Sequence, residues 1–126
     1  MCGIIGISSN KSVSANIINS LKKLEYRGYD SAGVATLFDG EINEVKSEGR
    51  VDNLEQNFDL KSLKGNIGIG HVRWATHGVP NSINAHPHSS DNVSVVHNGI
   101  IENSTILKKH LINKGHAFKS QTDTEV

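Results

Sequence analysis

A cysteine at position 2 is the residue best placed to do chemistry in this chain. Loss of Met1, which a small second residue permits, makes Cys2 the N-terminus, with its thiol beside its own α-amine. An unperturbed α-amine has a pKa of ~7.7–8.0 and accepts a proton near neutral pH. A nucleophile activated by the terminal amine of its own chain is one established form of covalent catalysis. The competing reading is a small buried hydrophobe, which describes most free cysteines. A second group is Asn98-Gly99, which reads either as a hairpin turn or as an oxyanion hole. In the second case the Asn side-chain amide and the following backbone N–H are the two donors. Ile100-Ile101-Glu102-Asn103 after it does not read as a return strand. A third string, Arg73-Trp74-Ala75-Thr76-His77-Gly78, puts an arginine where it can clamp a carboxylate bidentately. Trp74 by itself reads as core. His71, His77, His86, His88 and His97 allow a metal site, since three imidazoles and a water suit catalytic zinc. The match is unspecific: His86-Pro87-His88 is only an H-x-H pair, without H-E-x-x-H or a cysteine cluster. No metal is expected.

Elements must hold these groups together. Gly3 to Ser8 reads as a short buried strand, and residues 12–25 as an amphipathic helix capped by Ser12, with Val13, Ile17, Leu21 and Leu24 at helical spacing. Tyr26 to Gly33 reads as a loop. Gly33 to Phe38 and Glu41 to Lys46 read as a hairpin turned by Asp39-Gly40. Val51, Leu54 and Phe58 suggest a short helix, and Asn66 to Trp74 a Gly-rich strand. Thr76 to Asp91 is a long loop of the kind that is often functional. Asn92 to His97 reads as a strand, and Ser104 to Asn113 as a helix stopped by Gly115. Thr122-Asp123-Thr124-Glu125 has the form of a capping box, so a helix is expected to open there. A helix start followed only by Val126 suggests a chain that has been cut. The plan is α+β with antiparallel pairing.

Composition bounds the rest. The 126 residues are the size of one domain. Lys+Arg and Asp+Glu both number 13, for zero net charge, which removes the electrostatic footing of a nucleic-acid binder. No apolar run approaches the ~20 residues of a membrane span, and the N-terminus does not have the form of a signal peptide. A cytosolic protein without membrane or nucleic-acid partners is expected.

Taken together, several strings resemble one family. Met1-Cys2-Gly3-Ile4-Ile5-Gly6 is similar to the opening of the class II glutamine amidotransferases, which are N-terminal-nucleophile hydrolases. Leu24 to Gly33 (LEYRGYDSAG), Arg73 to Gly78, Asn84-Ala85-His86-Pro87-His88 and His97 to Asn103 resemble, within that class, the glutaminase domain of the glucosamine-6-phosphate synthases. The resemblance runs from residue 1 to residue 126. It implies an αββα sandwich with antiparallel sheets, of which these residues are the N-terminal portion. The rest of a type 2 glutamine amidotransferase domain, and the sugar-isomerising domains, lie outside them. It implies that Cys2 attacks the glutamine side-chain amide and forms a thioester, with Asn98 and Gly99 as the oxyanion hole. Arg73 then holds the α-carboxylate of glutamine and Asp123 its α-ammonium. Thr76 and His77 are further substrate contacts, Trp74 gates a mobile loop, and Arg27 and His86 support the site. It implies no cofactor, ammonia delivery to fructose 6-phosphate, and a homodimeric parent enzyme. Amidophosphoribosyltransferase-like and asparagine synthetase-like enzymes share the opening and remain alternatives, as does a non-catalytic fragment.

Overall fold

A computed structural model describes residues 1–126. In chain order the elements are β1 (Gly3–Ser8), α1 (Ser14–Leu24), β2 (Ser31–Phe38), β3 (Glu41–Glu48), α2 (Val51–Asn57), β4 (Ile67–Arg73), β5 (His88–Ser90), β6 (Val93–Val95) and α3 (Ser104–Asn113). A single 3₁₀ turn, Glu25–Arg27, follows α1. The main sheet has the order β1-β4-β2-β3, and each neighbouring pair is antiparallel. Asp39 and Gly40 turn the β2–β3 hairpin with φ of 52° and 78°, the left-handed pair that a two-residue turn between twisted strands requires.

The core lies between this sheet and α1 with α2. Val13, Ile17, Ile18 and Leu21 of the α1 region meet Val34 and Val72 of the sheet and Val51 and Leu54 of α2. The helix comes close because β4 has glycine where it passes. A Cβ on Gly68 or Gly70 would lie 2.7 or 2.6 Å from Ile17 side-chain carbons. Lys22 joins the two helices through Asp52 at 2.9 Å and Glu55 at 2.5 Å.

Four details differ from the sequence reading. Helix α1 starts at Ser14 with no side-chain cap. Its entry is set by fully buried Val13, whose N–H donates to the Gly65 carbonyl at 3.0 Å, so Ser12 is not the cap. Strand β2 starts two residues early, at Ser31, because it is paired on both sides from there, with Glu48 and with Arg73. Part of the long loop is a strand: His88–Ser90 pairs with Val93–Val95 in a small second sheet, and β6 is correspondingly shorter than residues 92–97. No helix opens at Thr122. Glu125 instead turns back and accepts the N–H groups of Lys119 at 2.7 Å and Ser120 at 2.6 Å.

Helix α3 ends as its sequence suggests. Gly115 has φ of 93°, its N–H reaches the Ile112 carbonyl at 2.9 Å, and His116 N–H reaches Leu111 at 3.1 Å. None of its residues is buried, and Ile106 is 71% exposed.

Candidate active site

The ends of β1 and β4 bring Cys2 beside Trp74. Gly3 pairs with Val72, so the residues just outside the register, Cys2 and Arg73-Trp74, emerge at the same edge. The Trp74 N–H donates to Cys2 Sγ at 3.3 Å, and the thiol lies 3.6 Å from the Trp74 carbonyl as a donor. The Cys2 carbonyl accepts two donors from distant segments: Arg27 Nε at 2.9 Å and Asn98 Nδ2 at 3.3 Å. The thiol is half-buried, so the reading of Cys2 as a buried core residue does not hold. Trp74 is not core either. It is 52% exposed and stands edge-on to Tyr29 at 6.0 Å.

Arg73 is buried, and its guanidinium donates to the carbonyls of His77 and, at 3.4 Å, Val79. Burial lowers its pKa, while the nearby carboxylates of Asp30 and Asp123 act in the opposite sense. The loop after Arg73 is therefore wrapped around the arginine by its own carbonyls. It is pinned at Ala75, whose N–H donates to Asp30 Oδ2, and at Asn84, whose Nδ2 donates to Val79 O at 2.9 Å. His77 contributes its carbonyl, and its ring lies 3.3 Å from Thr76 Oγ1.

The opposite wall comes from residues 97–101 and 122–124. Asp123 is buried, and its Oδ2 accepts the Ile101 N–H at 2.7 Å, which ties the C-terminal segment to the turn after Gly99. Between the walls lies a cavity of about 260 Å³ lined by Met1, Cys2, Arg73, Trp74, Thr76, His86, His97, Asn98, Gly99, Ile100, Thr122, Asp123 and Thr124. The structure thus gathers Cys2, Arg73, Trp74, Thr76, His86, Asn98, Gly99 and Asp123 around one space. Arg27 and His77 do not line it; Arg27 reaches the Cys2 carbonyl and the His77 carbonyl reaches Arg73.

Under the cavity the histidines form a column. The His71 and His86 rings stack at 4.2 Å, and His86 and His88 lie 4.8 Å apart. No set of three or more His, Cys, Asp or Glu is arranged to hold a metal ion. Burial lowers the pKa of His71 to about 4, of His86 to about 2 and of His88 to about 4, so these rings are neutral at pH 7. Two residues that bind this architecture together were not singled out from the sequence. Asp30 lies within the YRGYD string, but the string does not show that its carboxylate anchors Ala75. Asn84 joins residues 79 and 121, with Gln121 N–H donating to its Oδ1 at 2.8 Å.

This geometry can be set beside known proteins. A family model described as a glutamine amidotransferase domain matches residues 58–126. The chain belongs to the glutamine amidotransferase domain family. Two curated relatives named glutamine–fructose-6-phosphate aminotransferase (isomerizing) match all of this chain: that of Mesorhizobium japonicum at 59% identity and that of Clostridium acetobutylicum at 60%. The chain spans 21% of the length of each. Among solved structures, the glutamine phosphoribosylpyrophosphate amidotransferase of B. subtilis superposes with a TM-score of 0.83 at 33% identity, over 99% of this chain and 28% of that one. The amidotransferase fold here is α+β with antiparallel sheets and corresponds to the N-terminal portion of that enzyme. No helix is long and apolar enough to cross a membrane.

Proposed function

We propose that residues 1–126 are the nucleophile-bearing part of a glutaminase domain, and that the domain hydrolyses the side-chain amide of glutamine. The observation that carries this is the convergence on one cavity of a half-buried thiol at position 2, a buried arginine and a buried aspartate. Free glutamine is a zwitterion and needs one cationic and one anionic partner for its α-groups. Arg73 suits the carboxylate and Asp123 the ammonium. Its amide carbon then meets the Cys2 sulfur. The Cys2 amine, freed by removal of Met1, takes the thiol proton as sulfur attacks the amide carbon. Asn98 and Gly99 supply donors for the negative oxygen of the tetrahedral adduct. The C–N bond breaks, the amine passes its proton to the leaving nitrogen, and ammonia departs. Water then cleaves the thioester to glutamate. While Met1 is attached, the Cys2 nitrogen is an amide and cannot act as the base.

In this reading Arg27 holds the nucleophile's carbonyl, Thr76 and His77 are further substrate contacts, Trp74 gates the loop that closes over glutamine, and His86 supports the site. The ammonia acceptor is fructose 6-phosphate, bound outside these residues, in a cytoplasmic and homodimeric enzyme that needs no cofactor for the glutaminase step. The higher identity to the aminotransferases than to the phosphoribosyl enzyme favours this acceptor. The exposed apolar side of α3 supports the view that these residues are one part of a larger domain.

The test is glutamate release from glutamine by the protein at its natural length, with hydroxylamine present to intercept the acyl-enzyme. Both glutamate and γ-glutamyl hydroxamate are expected, and both should vanish in Cys2→Ala. Glutamine hydrolysis persisting in that variant would remove the thioester route. Aminated sugar phosphate formed from fructose 6-phosphate distinguishes the acceptor from phosphoribosyl diphosphate.

A further inference from the structure

The residue just before the proposed oxyanion pair is gripped at both ends of its backbone. His97 N–H donates to Nδ1 of His86 at 3.3 Å, and the His97 carbonyl lies 3.1 Å from Nε2 of His71. The two gripping rings belong to different segments. His71 is in β4, two residues before Arg73, and is fully buried. His86 is in the loop before β5, seated against β2. A Cβ on Gly33 would collide with the His86 carbonyl, so glycine there lets the loop sit directly on the strand. The rings stack face to face at 4.2 Å with 22° between planes.

Hydrogen-bond chemistry fixes one nitrogen of each ring. A carbonyl oxygen only accepts, so His71 Nε2 carries the hydrogen. An amide N–H only donates, so His86 Nδ1 carries none. His86 must then be the neutral Nε2–H tautomer, and His71, whose Nε2 donates, is the same tautomer because burial disfavours its cation. His71 Nδ1 is left buried with no partner, a cost the fold bears. A protonated His86 would present a donor to the His97 N–H and open the grip. The charged and titratable groups around the pair are Arg73, His88 and the His97 ring, and burial together with these neighbours disfavours the cationic forms. The His97 ring is held in turn, with Nδ1 3.2 Å from Thr124 Oγ1 beside Asp123.

We propose that His71 and His86 are positioning residues that clamp the His97 peptide and so hold the Asn98 amide and the Gly99 N–H where the oxyanion forms. The inference rests on the glutaminase reading above. The clamp links the wall that carries Arg73 to the wall that carries the oxyanion donors, through two neutral rings rather than through apolar packing. Neither ring needs to touch substrate for this role. A displacement of about 1 Å at a reacting centre can cost ~10²-fold in rate, so loss of the clamp should appear in turnover.

Two variants at His71 test this in the protein at its natural length. His71→Leu removes the donor. His71→Gln places an amide N–H near the position of Nε2. Glutaminase kcat is expected to fall about 10- to 100-fold in His71→Leu, with glutamine KM within about twofold of the parent. His71→Gln should recover most of the loss. The alkylation rate of Cys2 by iodoacetamide, which needs no oxyanion hole, should be the same in all three proteins. A His71→Leu enzyme with the parent's kcat, or a His71→Gln enzyme no better than His71→Leu, would overturn the clamp. Long-range ¹H–¹⁵N correlation of histidine-labelled parent protein reads the geometry without any variant or turnover. His71 and His86 should both appear as neutral Nε2–H tautomers at pH 6, and an Nδ1–H form or a cation at either would overturn the proposal. Absence of glutaminase activity in the parent would instead sink the functional reading, and the tautomer measurement would still decide the clamp.

Discussion

The two walls of the cavity are built by different means. The wall that carries Cys2 and Arg73 grows from a four-stranded sheet backed by an apolar core, with Val13, Ile17, Leu21, Val34, Val51, Leu54 and Val72 all fully buried. The wall that carries Asn98, Gly99 and Asp123 has no such backing. Its helix, α3, buries nothing, and it is held by polar contacts: Asp123 on Ile101, Thr122 Oγ1 with His88 Nε2 at 2.8 Å, and Glu125 on residues 119 and 120. Apolar burial is non-directional and gives the first wall stability. Hydrogen bonds are directional, and in the second wall they set where individual donors point. In the proposed reading, a nucleophile at the end of a sheet strand faces donors on a hydrogen-bonded turn, and substrate enters between them.

The largest effect is expected at the second wall. Asn98→Ala should lower glutaminase kcat by ~10²–10³-fold with little change in glutamine KM, because its amide meets charge that exists only in the tetrahedral adduct. Steady-state kinetics would show this, and an unchanged kcat would return Asn98-Gly99 to an ordinary turn. On the first wall, Arg73→Ala should act the other way and raise KM by roughly 10²-fold with a smaller effect on kcat, since the α-carboxylate is remote from the breaking bond. A large fall in kcat at constant KM would place Arg73 in the chemistry.

Stability should separate the walls as well. Leu21→Ala should cost about 2–5 kcal/mol in denaturant unfolding, as for other fully buried leucines. Ile106→Ala on α3 should stay within about 0.5 kcal/mol in the 126-residue chain. A larger loss from Ile106→Ala in the protein at its natural length would show that further structure covers α3. The smallest effect is on pH dependence. His71, His86 and His88 are held, chiefly by burial, at about 4, about 2 and about 4, below the ordinary 6.5 that they regain on unfolding. Below pH 6.5 the unfolded chain therefore binds more protons than the folded one. The contribution of the neutral column is complete above pH 6.5 and declines as pH falls toward 4. Thermal unfolding at pH 7 and pH 5 should show a lower Tm at pH 5. A Tm that does not fall would mean that the rings are more solvated than their burial indicates.

Much of the first wall was legible in the sequence because its cause is periodic. Val13, Ile17 and Leu21 recur at helical spacing, and Asp39-Gly40 announces its turn. The second wall was legible mainly as strings. His97-Asn98-Gly99 and Thr122-Asp123 drew notice by type, but nothing in spacing shows that His71 and His86 would grip His97, because those contacts cross 26 and 11 residues. Thr122 to Glu125 misled for a physical reason. The same serine, threonine and carboxylate groups that cap a helix can equally close a turn, and here Glu125 found donors behind it at Lys119 and Ser120. Asp30 was hidden because an anchoring carboxylate has no periodicity of its own.

The proposed glutaminase chemistry turns on Cys2, at a free N-terminus, as the nucleophile for glutamine. It is tested most directly with the diazo-ketone analogue of glutamine, which keeps both α-groups and presents an electrophilic carbon to the thiol. The protein at its natural length is incubated with the analogue, then analysed by intact mass and peptide mapping. One adduct per chain is expected, on Cys2 as the first residue with Met1 absent, suppressed by excess glutamine and unaffected by a zinc chelator. Full labelling of a chain that retains Met1 would contradict the amine-as-base mechanism, and no adduct at Cys2 would contradict the assignment of the site itself.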